Sequence, residues 1–312
     1  MKGRIVVLGG SGFIGRHVVA RLVDAGYAVV VPTRRRERAK ELWPLPTVDV
    51  REANVHDRAV LARLLDDADA VVNLVGILHE RGDQTFERAH VALPAAIVAA
   101  CRGAGVRRIV HMSALGAARD APSRYLRSKA EGEALVAASG LDTTIFAPSV
   151  VFGRGDSFLT MLAGLVRVLP VVMLAAPDAR FQPVWVGDVA HCFARAVGDP
   201  RTIGHRYELG GPRTYTLRQL VEWVGETTGH IRPVIPLGRS LSSLQAGVLE
   251  FLPGKLMTRD NLASMQVPNV TAQPFPPVFG IAPAALEAVG PTYLGPAATR
   301  SAYDAFRTHG AR

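Results

Sequence analysis

Short apolar runs alternate with patterns of helical period through the first half of the chain. The first run, at 5–8, is rich in β-branched residues and bounded by polar residues and glycines, as expected of a strand buried on both faces. The pattern after it, at 12–25, places Ile14, Val18 and Leu22 on one helical face. Further strand-like runs lie at 28–31, 48–50, 70–74, 108–112 and 143–146, and further helical patterns at 58–65, 85–103 and 125–139.

This alternation predicts an α/β fold with a Rossmann-type doubly wound parallel sheet, right-handed crossovers and ligands at the carboxyl ends of the strands. We assign residues 1–150 to an NAD(P)-binding Rossmann domain. Beyond them prolines and glycines are more frequent and elements shorter, which predicts a smaller substrate or partner lobe over 151–312, with 184–210 returning to the sheet. Helices are predicted at 186–197, 217–228 and 241–251, a strand at 206–209 and an irregular stretch at 266–280.

Three glycines follow the first strand at intervals of three residues: Gly9, Gly12 and Gly15. The first can make the sharp turn, the second lets the backbone approach a pyrophosphate, and the third lets helix and strand pack closely. The N–H groups at the helix start, around Phe13 and Ile14, suit phosphate oxygens. The position between a strand and an amphipathic helix favours a dinucleotide site over an ordinary glycine-rich turn.

The end of the second strand predicts NADP(H) rather than NAD(H). An NAD site usually places a carboxylate there for the ribose 2′-hydroxyl, whereas a guanidinium suits a 2′-phosphate. Here Arg34 and Arg35 follow the strand, and the first acid is Glu37. We expect Arg34 to clamp the 2′-phosphate, with Arg35 the next choice; the alternative is a solvated basic loop.

Two further strand ends are expected to line the same crevice. After the third strand, Asn54 and Val55 would cover the adenine. After the fourth, Leu74, Val75 and Gly76 would pass under the dinucleotide, where a glycine permits close approach.

The candidate catalytic group is Ser113, Tyr125 and Lys129. Ser113 lies just beyond an apolar strand, and Tyr125 and Lys129 are four apart on one helical face. A nearby ammonium and the nicotinamide charge would stabilise the phenolate, so that Tyr125 exchanges a proton with a carbonyl or alcohol. Ser113 would hold the substrate oxygen, and Lys129 would also bind the nicotinamide ribose. The alternative is an ordinary Tyr–Lys pair on a helix surface.

The composition indicates which classes of partner the protein is expected to bind. The formal net charge is +9, and arginine supplies most of the positive charge. This balance favours anionic partners such as phosphorylated cofactors or an anionic membrane surface. The basic run at 34–40 lacks interleaved aromatics, so nucleic acid is not expected. His111 is assigned to the core, and the scattered histidines predict no metal site.

Cysteine usage predicts a cytoplasmic protein. Cys101 and Cys192 lie in apolar stretches and are assigned to the core, and no signal peptide is recognised. The most apolar window, 158–177, is interrupted by Arg167 and Pro170, so it is not expected to span a membrane. A peripheral contact at the inner face of a membrane stays open.

Eight motifs together point to one superfamily: GGSGFIG at 9–15, NLVGIL at 73–78, HMSALGA at 111–117, YLRSKAEGE at 125–133, APSVVFGRGDSF at 147–158, FQPVWVGDVA at 181–190, YELGGP at 207–212 and TRDNL at 258–262. The chain resembles the short-chain dehydrogenase/reductase superfamily in its extended and atypical branch. Within that branch it resembles the NADPH-binding accessory subunit of respiratory complex I and its free-standing bacterial relatives. The motifs cover nearly the whole chain.

The resemblance implies tightly held NADP(H), with Pro148 and Val151 beside the nicotinamide. It also implies two competing functions. One is hydride transfer to or from a small or hydrophobic carbonyl or alcohol, for which a quinone-like ligand is in keeping with the family. The other is a non-catalytic NADPH-binding protein that docks on a protein complex. A nucleotide-sugar epimerase or dehydratase is disfavoured, because Ser113 and Tyr125 are only 12 positions apart and those enzymes usually carry a longer insertion there. The oligomeric state stays open.

Overall fold

The protein is described here by a computed structural model of its 312 residues, over residues 2–238, 241, 242, 245, 247 and 257–295. The chain divides into two compact units, and each is described by itself. The first comprises Met1–Pro148, Val186–Leu209 and Gln273–Ile281. The second comprises Ser149–Trp185, Gly210–Ala272 and Ala282–Arg312.

The strands and helices of the described residues have the following bounds. The strands are β1 (Arg4–Leu8), β2 (Ala28–Thr33), β3 (Val48–Glu52), β4 (Ala70–Asn73), β5 (Arg108–Met112), β6 (Asp142–Pro148), β7 (Val151–Phe152), β8 (Val172–Leu174), β9 (Arg180–Phe181), β10 (Val184–Trp185), β11 (His205–Leu209), β12 (Tyr215–Thr216) and β13 (Val234–Pro236). The longer helices are α1 (Phe13–Asp24), α2 (Arg58–Leu65), α3 (Leu93–Ala104), α4 (Arg124–Ala137), α5 (Phe158–Val168), α6 (Val186–Gly198) and α7 (Leu217–Thr228). Short helices lie at Arg259–Ser264, Leu286–Val289 and Pro291–Leu294.

A seven-stranded sheet forms the first unit, in the order β11-β6-β5-β4-β1-β2-β3, with every neighbouring pair parallel. The strand order reverses between β1 and β4, which makes their carboxyl ends the expected ligand crevice. The predicted Rossmann-type α/β fold is therefore confirmed. β11 pairs with β6, so the chain returns to this sheet after the second unit begins.

The core of the first unit follows from the buried strands. Val6, Val71 and Ile109 on neighbouring strands pack with Leu61 of α2 and Ile97 of α3 in one fully buried cluster. Because helices cover the sheet, its inner strands read as continuous apolar runs rather than alternating ones. This core fixes the strand ends that carry the candidate site.

One predicted helix differs in kind from the structure. The pattern at 85–103 suggested a single α-helix, but Glu87–Ala92 forms a π-helix and α3 begins only at Leu93. A π-turn adds one residue per turn without removing apolar positions, so the hydrophobic pattern does not reveal it. The predicted helix at 241–251 lies largely outside the described residues.

The second unit combines the helices α5 and α7 with short strands. Among its described residues, three two-stranded sheets pair β7 with β10, β9 with β12, and β8 with β13. Its buried cluster joins Leu159 and Leu162 of α5 to Leu220 and Val224 of α7. No helix in the described part of the chain is long and apolar enough to cross a membrane.

Candidate functional site

The glycine turn, which contains Gly9, Gly12 and Gly15, brings β1 and α1 into direct contact. Gly9 has φ +80°, a backbone conformation that side chains rarely adopt, and a Cβ there would lie 2.9 Å from the carbonyl carbon of Leu74. A Cβ on Gly15 would collide with the carbonyl oxygen of Gly9 and the backbone of Gly10. Both positions therefore exclude larger residues, and the glycine turn is held against the loop after β4.

The start of α1 presents uncapped backbone. Gly12 is its N-cap with no side-chain hydrogen bond, and the first turn contains no acidic residue. The N–H groups at Phe13 and Ile14 thus stand at a helix end of positive partial charge with no carboxylate to neutralise it. This end suits a phosphate.

The end of β2 carries cations without carboxylate partners. Arg34 and Arg35 are exposed, and within the described ranges neither forms an ion pair. The first acid, Glu37, pairs with Lys40 at 2.7 Å. The guanidinium groups that follow β2 therefore remain available to an anionic ligand.

The loop after β3 lies within electrostatic reach of β2. Burial, Arg88 and Arg34 together lower the pKa of His56. The Asn54 side chain accepts a hydrogen bond from the backbone N–H of His56 at 3.2 Å, and Val55 packs against the apolar core. Arg34 and this loop thus share one edge of the crevice.

The loop after β4 is tied to β5 and approaches α4. Asn73 accepts a hydrogen bond from the N–H of Val75 at 3.2 Å, and its Nδ2 lies 3.1 Å from Nδ1 of His111, which is buried as expected. A Cβ at Gly76 would stand 3.9 Å from Nζ of Lys129. Two of the predicted cofactor residues, from separate elements, are therefore adjacent.

The three candidate catalytic residues lie at the carboxyl end of β5 and the start of α4. Lys129 Nζ donates to the carbonyl oxygen of Met112 at 2.7 Å. Ser113 is 3% exposed, and its Oγ has no hydrogen-bond partner in the described parts of the chain. Ser123 caps α4 by accepting from the N–H of Leu126 at 3.1 Å. That cap places Tyr125 in the first turn and Lys129 one turn later, as their spacing predicts.

Burial shifts the pKa values of this group in opposite directions. It lowers the pKa of Lys129 to about 8, against the opposing charge of Glu133. It raises the pKa of Tyr125 to about 12. A nearby positive charge was expected to stabilise the phenolate and so lower the pKa of Tyr125, but desolvation by burial dominates in the chain by itself. Tyr125 is therefore a protonated phenol at neutral pH.

Sequence reasoning missed His90, which lies beside this group. Its ring contacts the rings of Phe86 and Tyr125, each with a centroid separation of 5.6 Å. Burial and the charge of Lys129 lower the pKa of His90 to about 3. The available signal was a polar residue on an apolar helical face, four residues after Phe86 and three before Leu93.

The last two predicted cofactor residues belong to different units. Pro148 ends β6 in the first unit, where its carbonyl accepts from the N–H of Leu115 at 3.0 Å. Val151 begins β7 in the second unit.

Residues 5–210 match the NAD dependent epimerase/dehydratase family. The chain is 31% identical over 290 residues to NADH dehydrogenase [ubiquinone] 1 alpha subcomplex subunit 9, mitochondrial, of Rattus norvegicus, covering 90% of this chain and 77% of that protein. It is 29% identical over 189 residues to a ceramide reductase of Caulobacter vibrioides, covering 61% of this chain and 59% of that protein.

Solved structures agree with the fold. An NADPH-dependent quinone oxidoreductase from Escherichia coli, in complex with NADPH, superposes with a TM-score of 0.75 at 20% identity. The match covers 93% of this chain and 99% of the other. At this identity the likeness supports the architecture alone.

Proposed function

Because the chain belongs to the NAD dependent epimerase/dehydratase family, whose members bind NAD(P), we propose that it is an NADP(H)-dependent reductase of small or hydrophobic carbonyl compounds. The reverse reaction would oxidise the corresponding alcohol. The proposed site is the group of Ser113, Tyr125 and Lys129, with the glycine turn and the end of β2 holding the cofactor.

The observation that carries the proposal is the hydroxyl of Ser113. It is buried at the carboxyl end of a sheet strand, and no described residue satisfies it. A buried polar group without a partner costs about 1–3 kcal/mol, so its retention is best explained by a ligand oxygen that it binds. The neighbouring ammonium of Lys129 adds positive charge at the same strand end.

The residues then have distinct roles in reduction. When bound, NADPH supplies the hydride that goes to the carbonyl carbon. Ser113 donates a hydrogen bond to the carbonyl oxygen, and Tyr125 gives that oxygen its phenolic proton. The raised pKa of Tyr125 keeps this proton in place at neutral pH, and the Lys129 ammonium stabilises the phenolate that remains.

The unpaired cations after β2 support NADP(H) over NAD(H). Arg34 and Arg35 are exposed, whereas Glu37 is engaged by Lys40 at 2.7 Å and is thus a poor acceptor for a ribose 2′-hydroxyl. A 2′-phosphate would pair with the guanidinium of Arg34.

One relative bears on the substrate class, because a ceramide reductase acts on a hydrophobic molecule by its name. A long-chain ketone therefore fits the proposed reaction, since it offers a carbonyl to accept hydride. A hydrophobic quinone offers a carbonyl of the same kind.

The second candidate function is a non-catalytic NADPH-binding protein that docks on a complex at the inner face of a membrane. Two observations favour it: relatives include a mitochondrial NADH dehydrogenase subunit, and the second unit exposes large apolar side chains. Met173 and Ile235, register partners on β8 and β13, are 60% and 50% exposed. Apolar surface of this kind often marks an interface.

The experiment that tests the first proposal measures NADPH oxidation with a panel of short-chain quinones and long-chain ketones. Tyr125→Phe should slow turnover about 100-fold or more, because it removes the proton donor, while NADPH affinity stays nearly unchanged. Tyr27→Phe is the matched control, since Tyr27 immediately precedes β2 at the opposite end of that strand. Equal turnover by Tyr125→Phe and the wild type would refute the assigned role. A cofactor that is never oxidised by any member of the panel would favour the second candidate.

A further inference from the structure

His90 sits in an unusual helical turn. The π-helix Glu87–Ala92 carries it immediately before α3, and π-turns are rare and often occur at functional sites. Gly132 of α4 packs directly on this turn, because a Cβ at Gly132 would collide with the carbonyl oxygen of His90. The imidazole is thereby fixed between two helices, and His90 is only 2% exposed.

Both ring nitrogens are engaged, on opposite sides. The backbone N–H of Ile77, in the loop after β4, donates to Nε2 of His90 at 3.1 Å. On the other side Nδ1 lies 2.8 Å from Oγ of Ser128, whose hydroxyl donates to the carbonyl oxygen of Tyr125 at 2.8 Å. Since Nε2 accepts, Nδ1 carries the proton and donates to Ser128.

The ring faces add a second set of contacts. Phe86 stacks on the imidazole with an interplanar angle of 21°, and Tyr125 meets it edge to face at 77°. A Cβ at Gly76 would lie 3.6 Å from Nε2, so the cofactor loop passes directly beside the ring. The imidazole therefore contacts the predicted cofactor loop and the predicted proton donor at once.

We propose that His90 is a positioning residue with two contacts. Through Nε2 it holds the loop at Gly76 and Ile77. Through Nδ1–H it holds the first turn of α4, which carries Tyr125. This inference rests on the proposed function in taking that loop as a cofactor contact and Tyr125 as the proton donor. The two ring nitrogens then serve separable purposes: Nε2 supports cofactor binding, and Nδ1–H supports the geometry of proton transfer.

If His90 were only an ordinary core histidine, the expected result would differ. Its substitution would lower stability, NADPH affinity and the rate of hydride transfer together, whichever nitrogen was replaced. Two variants separate the cases, because the Gln side chain can place an acceptor oxygen near Nε2 and the Asn side chain can place a donor nitrogen near Nδ1.

The experiment compares His90→Gln with His90→Asn in the full-length chain. His90→Gln should keep NADPH affinity within about twofold but slow hydride transfer at saturating NADPH about 5- to 10-fold, the usual effect of one hydrogen bond. His90→Asn should weaken NADPH binding about 5- to 10-fold with little change in that rate. Ser128→Ala is the matched control on the Nδ1 side and should reproduce His90→Gln, with no further loss in the double variant.

A third readout is independent of turnover: hydrogen exchange at the amide of Ile77. It should be protected in the wild type and in His90→Gln and should exchange faster in His90→Asn. If the wild type binds NADPH but reduces no carbonyl, the reductase proposal fails while affinity and exchange still judge His90. Equal changes of affinity, exchange and thermal stability in both variants would overturn the positioning role.

Discussion

The ammonium of Lys129 lies 2.7 Å from the carbonyl oxygen of Met112, so this side chain reaches from α4 to the carboxyl end of β5. It is a buried cation, 5% exposed, and no carboxylate among the described residues forms an ion pair with it. The next residue after Met112 is Ser113, whose buried hydroxyl is unsatisfied. Burying the Lys129 ammonium and leaving the Ser113 hydroxyl unsatisfied both cost free energy of folding. A ligand that binds both groups explains them better than the fold does.

Lys129 should therefore destabilise the unliganded protein. The pKa of Lys129 falls from 10.5 to about 8 on folding, which means that the folded state binds this proton less tightly than the unfolded state does. Below pH 8 the side chain is protonated in both states, so the folded state is destabilised. Lys129→Met should raise the free energy of unfolding at pH 7 by about 1–3 kcal/mol in urea titrations without cofactor. The advantage should shrink as pH rises from 8 towards 10, where the wild type regains stability. A variant less stable than the wild type at pH 7 would contradict this account.

Carbonyl reduction should fall as pH rises through about 8. The ammonium of Lys129 is lost over that range, and with it the charge that stabilises the phenolate of Tyr125. The measurement is kcat/KM for NADPH oxidation against pH. Ser113→Ala serves as control, since it should lower the rate without moving the pH at which activity falls. A profile flat to pH 10 would remove Lys129 from the proposed role.

Arg34 should discriminate between the two dinucleotides. Arg34→Ala should weaken NADPH binding about 10-fold or more, because it removes a charge-assisted contact to the 2′-phosphate, and should leave NADH binding unchanged. Binding is measured by titration calorimetry. Arg38→Ala, which removes another exposed cation of the same basic run, should affect NADPH far less. If both variants lose the same affinity, the effect is general electrostatic attraction and the specific contact is absent.

Gly15 should tolerate no side chain. Gly15→Ala forces a Cβ into the backbone of Gly9 and Gly10, so we expect a loss of about 2–4 kcal/mol in the free energy of unfolding and loss of dinucleotide binding. Gly103→Ala is the contrasting variant, because nothing lies within 4 Å of its Cβ position in α3. It should stabilise the protein by about 0.5–1 kcal/mol through helix propensity. Equal thermal unfolding of the two variants would contradict the packing described for the turn.

The first unit could be predicted from sequence because its signals are local and long. The run at 5–8 and the glycines after it define β1 and α1 within a few residues, and α2 and β5 coincide with their predicted bounds. His90 escaped detection because a π-turn leaves the apolar pattern intact and a histidine on such a pattern usually belongs to the core.

In the second unit α7 has its predicted bounds, but the strands could not be predicted in this way. These strands are two or three residues long, and partners such as Phe181 and Tyr215 are far apart in sequence. No hydrophobic period develops over so short a strand.

The opposing pKa shifts of Tyr125 and Lys129 could not be predicted from sequence either, because burial of each side chain depends on tertiary packing.

Mass spectrometry of the dinucleotide that the freshly purified protein releases on denaturation tests the NADP(H)-dependent reductase directly. We expect stoichiometric NADP(H) from the wild type, conversion of bound NADPH to NADP⁺ after incubation with a hydrophobic quinone, and a marked loss of bound NADP(H) from Arg34→Ala. Release of NAD(H), or of no dinucleotide at all, would show that the cofactor assignment is wrong.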